Sequence, residues 1–242
     1  MPGIWNLILN NMPDFNEFEN AIGIVFSDKK LLKQAFIHRS YINENGNTGL
    51  SHNERLEFLG DAVLELSVTD YLYKKYPNEP EGAMTSYRAA LVNAVTIASL
   101  AEKLDMNKYL LLSKGESKDT GKARMYILAN TYEAVIGAIY LDQGYETADR
   151  FISENALPLL DEIITKKLWR DAKSLIQEKA QEYVGHTPSY KVISETGPDH
   201  DKQFTIGVYF GAELIAQGKG KSKQEAEQKA AESALKINNW LD

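Results

Sequence analysis

Three carboxylates lie at helical spacing inside an apolar segment, His52–Leu66, whose sequence is HNERLEFLGDAVLEL. Glu54, Glu57 and Asp61 are three and four residues apart, which places them on one stripe of a helix. The other positions are apolar almost all round, so we expect this helix to have little exposed surface. Like charges repel and burial penalises ionised groups, so such a stripe is costly unless a cation binds to it. The alternative is the polar seam of an ordinary amphipathic helix.

A second apolar segment, Tyr126–Leu141, carries a similar narrow polar stripe in the sequence YILANTYEAVIGAIYL. Asn130 and Glu133 are three residues apart, and Gly137 continues their face. Gly137 and Gly60 have no side chains and would let two helices approach closely. The two stripes together predict an oxygen-lined metal site between the helices. Neither stripe contains His or Cys, which favours magnesium or manganese over zinc or iron.

Composition and charge exclude several classes of protein. The 242 residues include no cysteine, which excludes disulfides, thiolate zinc sites and cysteine nucleophiles and fits a reducing compartment. No apolar run is long enough to span a membrane, and we interpret the N-terminal MPGIWNLILNNMPDF as a local helix or tail rather than a signal peptide. The net charge of −7 argues against a generally basic nucleic-acid binder. Any binding of nucleic acid must therefore come from local clusters of basic residues.

The pattern of hydrophobic residues divides the chain into two parts. Helical periodicity runs up to about Ile164, with helices predicted over 15–24, 29–38, 54–76, 83–104, 125–143 and 147–164. After the segment KKLWRDAK, a helix over 171–184 precedes three strands, 189–195, 203–209 and 213–218, and a last helix over 223–237. Asp171 and Ser222 are the expected N-caps of these two helices, with Glu225 at the capping-box position. We therefore predict an all-α domain over 1–167 and a small α+β domain of order α-β-β-β-α over 168–242.

Three stretches resemble one known family. HNERLEFLGDAVLE resembles the signature of the ribonuclease III family, and ILANTYEAVIGAIYLDQG resembles that family's second active-site helix. The C-terminal part, from DAKSLIQEKAQ to QKAAESAL, looks like a double-stranded RNA-binding domain. The resemblance covers nearly the whole chain, in the domain order of the bacterial enzymes. It implies a cytoplasmic, homodimeric endoribonuclease that uses magnesium, with manganese as a possible substitute, and needs no organic cofactor. The expected reaction cuts double-stranded RNA to 5′-phosphate and 3′-hydroxyl ends during processing of ribosomal RNA precursors and messenger RNA.

The same resemblance implies roles for residues in the first part. Glu57, Asp61, Asn130 and Glu133 are expected to hold the metal, and Asp61 and Glu133 are expected to be catalytic. Two further acidic residues are possible accessories, Glu54 and Glu81. Phe58 is expected at the dimer interface, or otherwise in the core. The histidines His38 and His52 lie near helix ends and are expected to be structural.

Asn130 departs from the family pattern, which most often has Asp there. An amide offers a carbonyl oxygen but no charge, so metal binding should weaken. This leaves open a non-cleaving regulator that binds double-stranded RNA. A protein-interaction module is a further alternative, mildly favoured by the acidic charge of the chain.

The C-terminal domain is expected to recognise the shape of the RNA duplex rather than its sequence. By resemblance, its first helix meets one minor groove and a later loop enters the next. Lysines at the start of the last helix meet the phosphates between the grooves, although Gln224 replaces a basic residue common there. The expected contacts are Ser174, Gln177, Glu178, Gln181, His200, Lys219, Lys221 and Lys223.

Overall fold

A computed structural model describes residues 13–46, 49–166, 169, 172–198 and 202–240. The chain divides into two compact units, Met1–Lys166 and Lys167–Asp242. The predictions for the N-terminal twelve residues, for the Asp171 cap and for His200 lie outside the described residues. The assignment of separate domains over 1–167 and 168–242 stays a prediction.

The first unit is helical throughout its named elements. Two helices of 22 residues, α4 (Glu54–Lys75) and α7 (Lys122–Gln143), form its centre, and α7 also packs against α2 (Lys29–Ala35), α6 (Ala94–Lys103) and α8 (Tyr145–Asn155). Because it is surrounded in this way, α7 buries most of the apolar residues between Ile127 and Ile139, including Tyr132, Val135 and Ile136. The helices are α1 Phe15–Ile22, α2 Lys29–Ala35, α3 Arg39–Asn45, α4 Glu54–Lys75, α5 Glu81–Val92, α6 Ala94–Lys103, α7 Lys122–Gln143, α8 Tyr145–Asn155 and α9 Leu157–Thr165, with 3-10 turns at Met106–Tyr109 and Glu116–Lys118.

Two helices predicted as continuous are each broken in the structure. The prediction of one helix over 83–104 is wrong because Asn93 is extended (φ −74°, ψ 154°) and its side chain caps α6. The prediction over 147–164 is wrong because the chain turns at Ala156, between α8 and α9. Pro158 lacks the N–H that would continue α8, but it is tolerated in the first turn of α9. Hydrophobic periodicity persists across both breaks and hides them.

The helix α3 was not predicted, and the helix expected over 29–38 ends at Ala35. His38 is extended, and its Nδ1 accepts a hydrogen bond from the backbone N–H of Ser40 at 3.3 Å, which caps α3. Histidine is not among the residues that usually cap helices, so the sequence carried no ordinary start signal here.

The second unit has the predicted two layers. Its elements are α10 Ala172–Tyr183, β1 Pro188–Thr196, β2 Gln203–Phe210, β3 Glu213–Gly220 and α11 Lys223–Ile237. The strands form an antiparallel sheet in the order β1-β2-β3, and both helices pack on one face of it. The buried core includes Ile176 of α10, Val208 and Phe210 of β2, and Ala230 and Leu235 of α11. The predicted fold class, an all-α part followed by a small α-β-β-β-α part, is confirmed.

Candidate active site and RNA interface

The helices α4 and α7 cross with their backbones in direct contact. A Cβ atom at Gly60 would lie 2.7 Å from the carbonyl carbon of Glu133 and 2.8 Å from the backbone nitrogen of Gly137. A Cβ atom at Gly137 would lie 3.0 Å from the carbonyl carbon of Leu56. Only glycine fits at either position, because each neighbour is backbone and cannot rotate away. The predicted close approach of the two helices is confirmed.

This crossing brings together the carboxylates of the two stripes. Burial is the largest cause that raises the pKa of Glu133, and the nearby charges of Asp61 and Glu57 add to it, so that this pKa reaches about 8. Burial and then the charge of Glu54 raise the pKa of Glu57. Burial and then the charge of Glu65 raise the pKa of Asp61. Burial and neighbouring negative charges thus make ionisation of these carboxylates unfavourable, and a bound cation would offset both effects.

Asn130 lies within this group and forms a side-chain hydrogen bond with Glu57. The amide N–H donates to the carboxylate, which opposes the rise in the pKa of Glu57. Aspartate at this position would carry a further negative charge beside Glu57. Asn130 therefore reduces the electrostatic repulsion in the site and leaves its own carbonyl oxygen available as a ligand.

The donor set fits a hard divalent cation, because Glu57, Asp61, Asn130 and Glu133 all offer oxygen. Within the described ranges, no three Asp, Glu, His or Cys side chains already converge closely enough to hold a metal ion. The carboxylates are close enough to shift one another's pKa but remain apart, as mutual repulsion requires. Binding of one ion by all four residues would therefore require their side chains to rotate toward a common centre.

The two accessory carboxylates are placed differently from each other. Glu54 is the first residue of α4 and lies 3.6 Å from Arg39 and 3.7 Å from His52. It therefore supports the start of the helix, while its charge acts on Glu57. Glu81 accepts a hydrogen bond from Thr85 at 3.1 Å and shares a surface pocket with Thr69. Thr69 lies on α4 eight residues after Asp61, which is about 12 Å along the helix. Glu81, which is beside Thr69, therefore does not join the other carboxylates of the same chain.

The two histidines lie outside the carboxylate stripe. His38 caps α3, and burial is the main cause that lowers its pKa. The Nδ1 atom of His52 is buried, and the carboxylate of Glu54 is too distant to form a hydrogen bond with it.

One side of α4 is apolar and exposed, which corrects the expectation of a helix with little free surface. Phe58 is 82% exposed, so its interpretation as a core phenylalanine is wrong. Leu66 and Tyr73 are also exposed, and Ala62 continues the same side. Next to Phe58 lies a surface cavity of about 620 Å³, lined by Leu31, Gln34, His52, Glu54, Arg55, Leu56, Leu59 and Leu141.

In the second unit, the expected RNA contacts of α10 share one exposed face. Ser174, Gln177, Glu178 and Gln181 are all exposed, and their spacings of three and four place them side by side on the helix. The opposite side of α10 is buried in the core through Leu175, Ile176 and Ala180.

The start of α11 presents two of the expected lysines. Lys221 and Lys223 flank the N-cap Ser222, whose hydroxyl accepts a hydrogen bond from the backbone N–H of Glu225 at 3.1 Å. The Glu225 carboxylate accepts one from the backbone N–H of Lys221 at 2.8 Å, so the predicted capping box forms with Lys221, rather than the N-cap Ser222, as the reciprocal donor. Two lysines beside a helix N-terminus make a favourable place for a phosphate.

Lys219 lies on the other face of the sheet. Its neighbours Gly218 and Gly220 both press against α11, where an added Cβ atom would meet the helix. Side chains alternate along a strand, so Lys219 points away from α11, and its partner on β2 is Thr205. The structure therefore separates Lys219 from Lys221 and Lys223.

Two residues on the α7 stripe were not singled out from the sequence. Tyr126 and Lys122 precede Asn130 by four and eight residues, and both are exposed. The sequence signal for Tyr126 and Lys122 is the spacing of three or four residues that places Asn130 and Glu133 on one helix face. It continues for one and two turns toward the N-terminus of α7.

Comparisons with known proteins agree with this architecture. The Ribonuclease-III-like family model matches residues 28–160, and the double-stranded RNA binding motif matches residues 172–238. Ribonuclease 3 of Nitratiruptor sp. is 45% identical over 230 residues, covering 93% of this chain and 97% of that protein. Ribonuclease 3 of Enterococcus faecalis is 46% identical over 221 residues, covering 91% and 95%.

Solved structures give the same result for the helical unit. The crystal structure of the ribonuclease III nuclease domain from Campylobacter jejuni is 38% identical, with a TM-score of 0.54, and the match covers 62% of this chain and 96% of that domain. A second structure of that domain, with structural flexibility in the region involved in dimer formation, is 39% identical with a TM-score of 0.53, covering 59% and 98%.

A helical nuclease unit with a carboxylate site, followed by a double-stranded RNA binding motif, defines an endoribonuclease that acts on double-stranded RNA. The chain belongs to the ribonuclease III family, whose activity depends on a metal ion. Among the described helices, none has both the length and the hydropathy needed to cross a membrane.

Proposed function

We propose that this endoribonuclease uses magnesium, with manganese as a substitute, held by Glu57, Asp61, Asn130 and Glu133. The observation that carries the proposal is the glycine crossing of α4 and α7, where burial and mutual charge raise the pKa of Glu133 to about 8. An all-oxygen donor set of this charge matches the preference of magnesium. The products are 5′-phosphate and 3′-hydroxyl ends, and the substrates include precursors of ribosomal RNA.

The side chains have separate tasks in this site. When bound, magnesium lowers the pKa of the attacking water and offsets the charge that develops on the phosphate. Asp61 and Glu133 would orient that water, and binding of the cation would offset the burial and repulsion that raise the pKa of Glu133 in the metal-free chain. The Asn130 amide lies close enough to Glu57 to oppose the rise in the pKa of that carboxyl, which favours its ionised, metal-binding form. Glu54 assists through its charge on Glu57, and Glu81 is proposed as an accessory residue outside this group.

The test is cleavage of a long RNA duplex during a magnesium titration. Glu133→Gln keeps the size of the side chain and removes its charge, so we expect cleavage to be lost. Binding of the duplex in calcium should remain, because the second unit carries the RNA-binding surface. Glu154→Gln, an exposed carboxylate of α8, is the matched control and should cleave normally. Parallel loss of binding and cleavage in Glu133→Gln would contradict the assignment.

Asn130 supplies a second test of the same site. Asn130→Asp adds a charged ligand, so we expect a lower magnesium concentration at half-maximal cleavage. In metal-free protein the same change should lower the unfolding temperature, because it replaces a hydrogen bond to Glu57 by repulsion. If wild-type protein binds the duplex but does not cleave it at any magnesium concentration, the non-cleaving regulator is the correct alternative.

We propose that the active form is a homodimer joined through the apolar face of α4. A symmetric dimer buries the same surface on both copies, so a protruding side chain needs a recess on that same surface. Phe58 protrudes, and the cavity beside it is lined by four leucines together with polar and charged residues. A similar nuclease domain, from Campylobacter jejuni, has a region involved in dimer formation. Two copies supply two sites, which is what cutting both strands requires.

We propose that RNA lies across the exposed face of α10 and the N-terminus of α11, with His200 entering from the loop between β1 and β2. The lysines at the start of α11 contact phosphates, and the side chains of α10 contact 2′-hydroxyls in a minor groove. Lys219 joins this surface only if the RNA reaches the far side of the sheet. Because the substrate is intracellular RNA and the chain has no cysteine, we place the protein in the cytoplasm.

A further inference from the structure

The carboxylate stripe of α7 continues past the metal site into a pair of exposed side chains. On a helix of 3.6 residues per turn, Lys122, Tyr126, Asn130, Glu133 and Gly137 fall within an arc of about 80°. The C-terminal end of this arc is covered by α4, whereas Lys122 and Tyr126 are exposed. Tyr126 lies about 6 Å along the axis from Asn130, and Lys122 about 12 Å.

Among the residues that the structure describes, neither Lys122 nor Tyr126 forms a hydrogen bond or an ion pair that would stabilise the fold. Tyr126 is 46% exposed on a helix that otherwise buries most of its apolar residues. The Lys122 ammonium lies 5.8 Å from the centre of the Tyr126 ring, and within the described residues it forms no ion pair. Arg124, two residues away, differs because its guanidinium binds Asn107 and the carbonyl of Glu116 and so holds a loop. Lys122 is thus an exposed cation that lies beside the ring of Tyr126 and that no anion of the described residues neutralises.

The negative charge of the carboxylates explains how Lys122 and Tyr126 could help to bind RNA. The carboxylates at the crossing of α4 and α7 repel the phosphates of an approaching RNA strand. A cation on the same helix face attracts a phosphate at a fixed distance from the site. An exposed tyrosine hydroxyl between the cation and the metal ligands can exchange a hydrogen bond with a ribose 2′-hydroxyl, which DNA lacks.

We propose that Lys122 and Tyr126 form a substrate-binding pair that holds one RNA strand beside the bond that is cut. The Lys122 ammonium binds a phosphate, and the Tyr126 hydroxyl binds a 2′-hydroxyl between that phosphate and the metal site. The ring of Tyr126 holds the ammonium in position. This inference rests on the proposed function, since it places the cut at the carboxylates.

The test uses full-length protein and a duplex with one defined cleavage site under single-turnover conditions. Tyr126→Phe keeps the ring and removes only the hydroxyl, so we expect a loss of about 3–10-fold in cleavage efficiency. Lys122→Ala should lose about 5–20-fold and reduce the slope of log efficiency against log salt by roughly 0.7–0.9, and Lys122→Arg should restore both. Lys30→Ala, an exposed lysine of α2, is the control and should match wild-type protein.

Substrates with a single 2′-deoxy substitution locate the contact. At one nucleotide near the cut, the 2′-deoxy substitution should slow cleavage by wild-type protein but not cleavage by Tyr126→Phe. The substitution in the RNA and the change in the protein remove the same hydrogen bond, so their effects should not add. If every 2′-deoxy substitution slows both proteins equally, the tyrosine does not bind a 2′-hydroxyl. If Tyr126→Phe or Tyr126→Ala converts a dimer to a monomer, the residue belongs to an interface between copies and the inference is wrong.

The result separates this inference from the proposed function. If Glu133→Gln cleaves normally, the proposed metal site is wrong whatever the pair does. If Glu133→Gln is inactive while Lys122→Ala and Tyr126→Phe both equal the Lys30→Ala control, the metal site stands and only the substrate-binding pair is refuted.

Discussion

Adding one methyl group at the crossing of α4 and α7 should damage stability and activity together. In Gly60→Ala, the new Cβ atom would lie 2.7 Å from the carbonyl carbon of Glu133 and 2.8 Å from the backbone nitrogen of Gly137, and both distances are too short. Backbone atoms cannot rotate away, so the two helices must separate. We expect the steric clash to destabilise the fold by about 3 kcal/mol or somewhat more, near the upper end of the usual cost of overpacking a core. Alanine returns about 1 kcal/mol through helix propensity, which leaves a net loss of about 2–3 kcal/mol.

The loss should appear as a fall in unfolding temperature of roughly 4–12 °C for a unit of this size. Activity should fall further than stability alone explains, because Glu133 is displaced from the carboxylates of α4. A displacement of about 1 Å in a reacting geometry can lower the rate by about 100-fold. The assays are thermal unfolding by circular dichroism and cleavage of duplex RNA at a temperature where the variant is folded.

Gly82→Ala is the matched control because Gly82 also lies in a helix, yet an added Cβ atom there meets nothing within 4 Å. It should be neutral or slightly stabilising. If Gly60→Ala unfolds at the same temperature as Gly82→Ala and cleaves RNA at the same rate, then α4 and α7 do not cross as described.

The remaining predictions concern pH, association and salt. The unfolded chain ionises Glu133 near its usual pKa of 4.5, whereas the folded protein keeps the proton up to about 8. Metal-free protein should therefore lose stability as pH rises from 4.5 to 8, and Glu133→Gln should flatten that dependence in denaturant titrations. Phe58→Asp should leave a folded monomer, so sedimentation that still shows a dimer would contradict the proposed interface. Replacing Lys221 and Lys223 by Ala should reduce the slope of log affinity against log salt by somewhat under two, whereas Lys219→Ala should change it less.

The sequence was sufficient for those features that depend on local spacing. Because a helix repeats every 3.6 residues, spacing alone places Glu57 and Asp61 on one helix face and Asn130 and Glu133 on another. Their roles as metal ligands stay a prediction. The capping box at Ser222 was visible for the same reason, since it requires two residue types at a fixed separation.

Features that depend on tertiary neighbours were not predictable in the same way. The apolar sequence of α4 indicated a buried helix, but the other helices of the unit cover only part of it and leave Phe58 exposed. Lys219 and Lys221 look equivalent in sequence, and only the packing of Gly218 and Gly220 against α11 shows that Lys219 points away from that helix. The breaks at Asn93 and Ala156 were hidden because hydrophobic periodicity continues through them.

The helix α4 carries both the exposed apolar face proposed to bind a second copy and two of the proposed metal ligands, and this has a consequence for how the protein responds to dilution. Phe58 and Glu57 are adjacent on α4, so pairing of two chains and arrangement of the carboxylates draw on the same rigid element. By thermodynamic linkage, any ligand that favours the paired form must be favoured by pairing to the same extent. Specific activity should therefore fall as the protein is diluted, and a higher concentration of metal or duplex RNA should move that fall to a lower protein concentration.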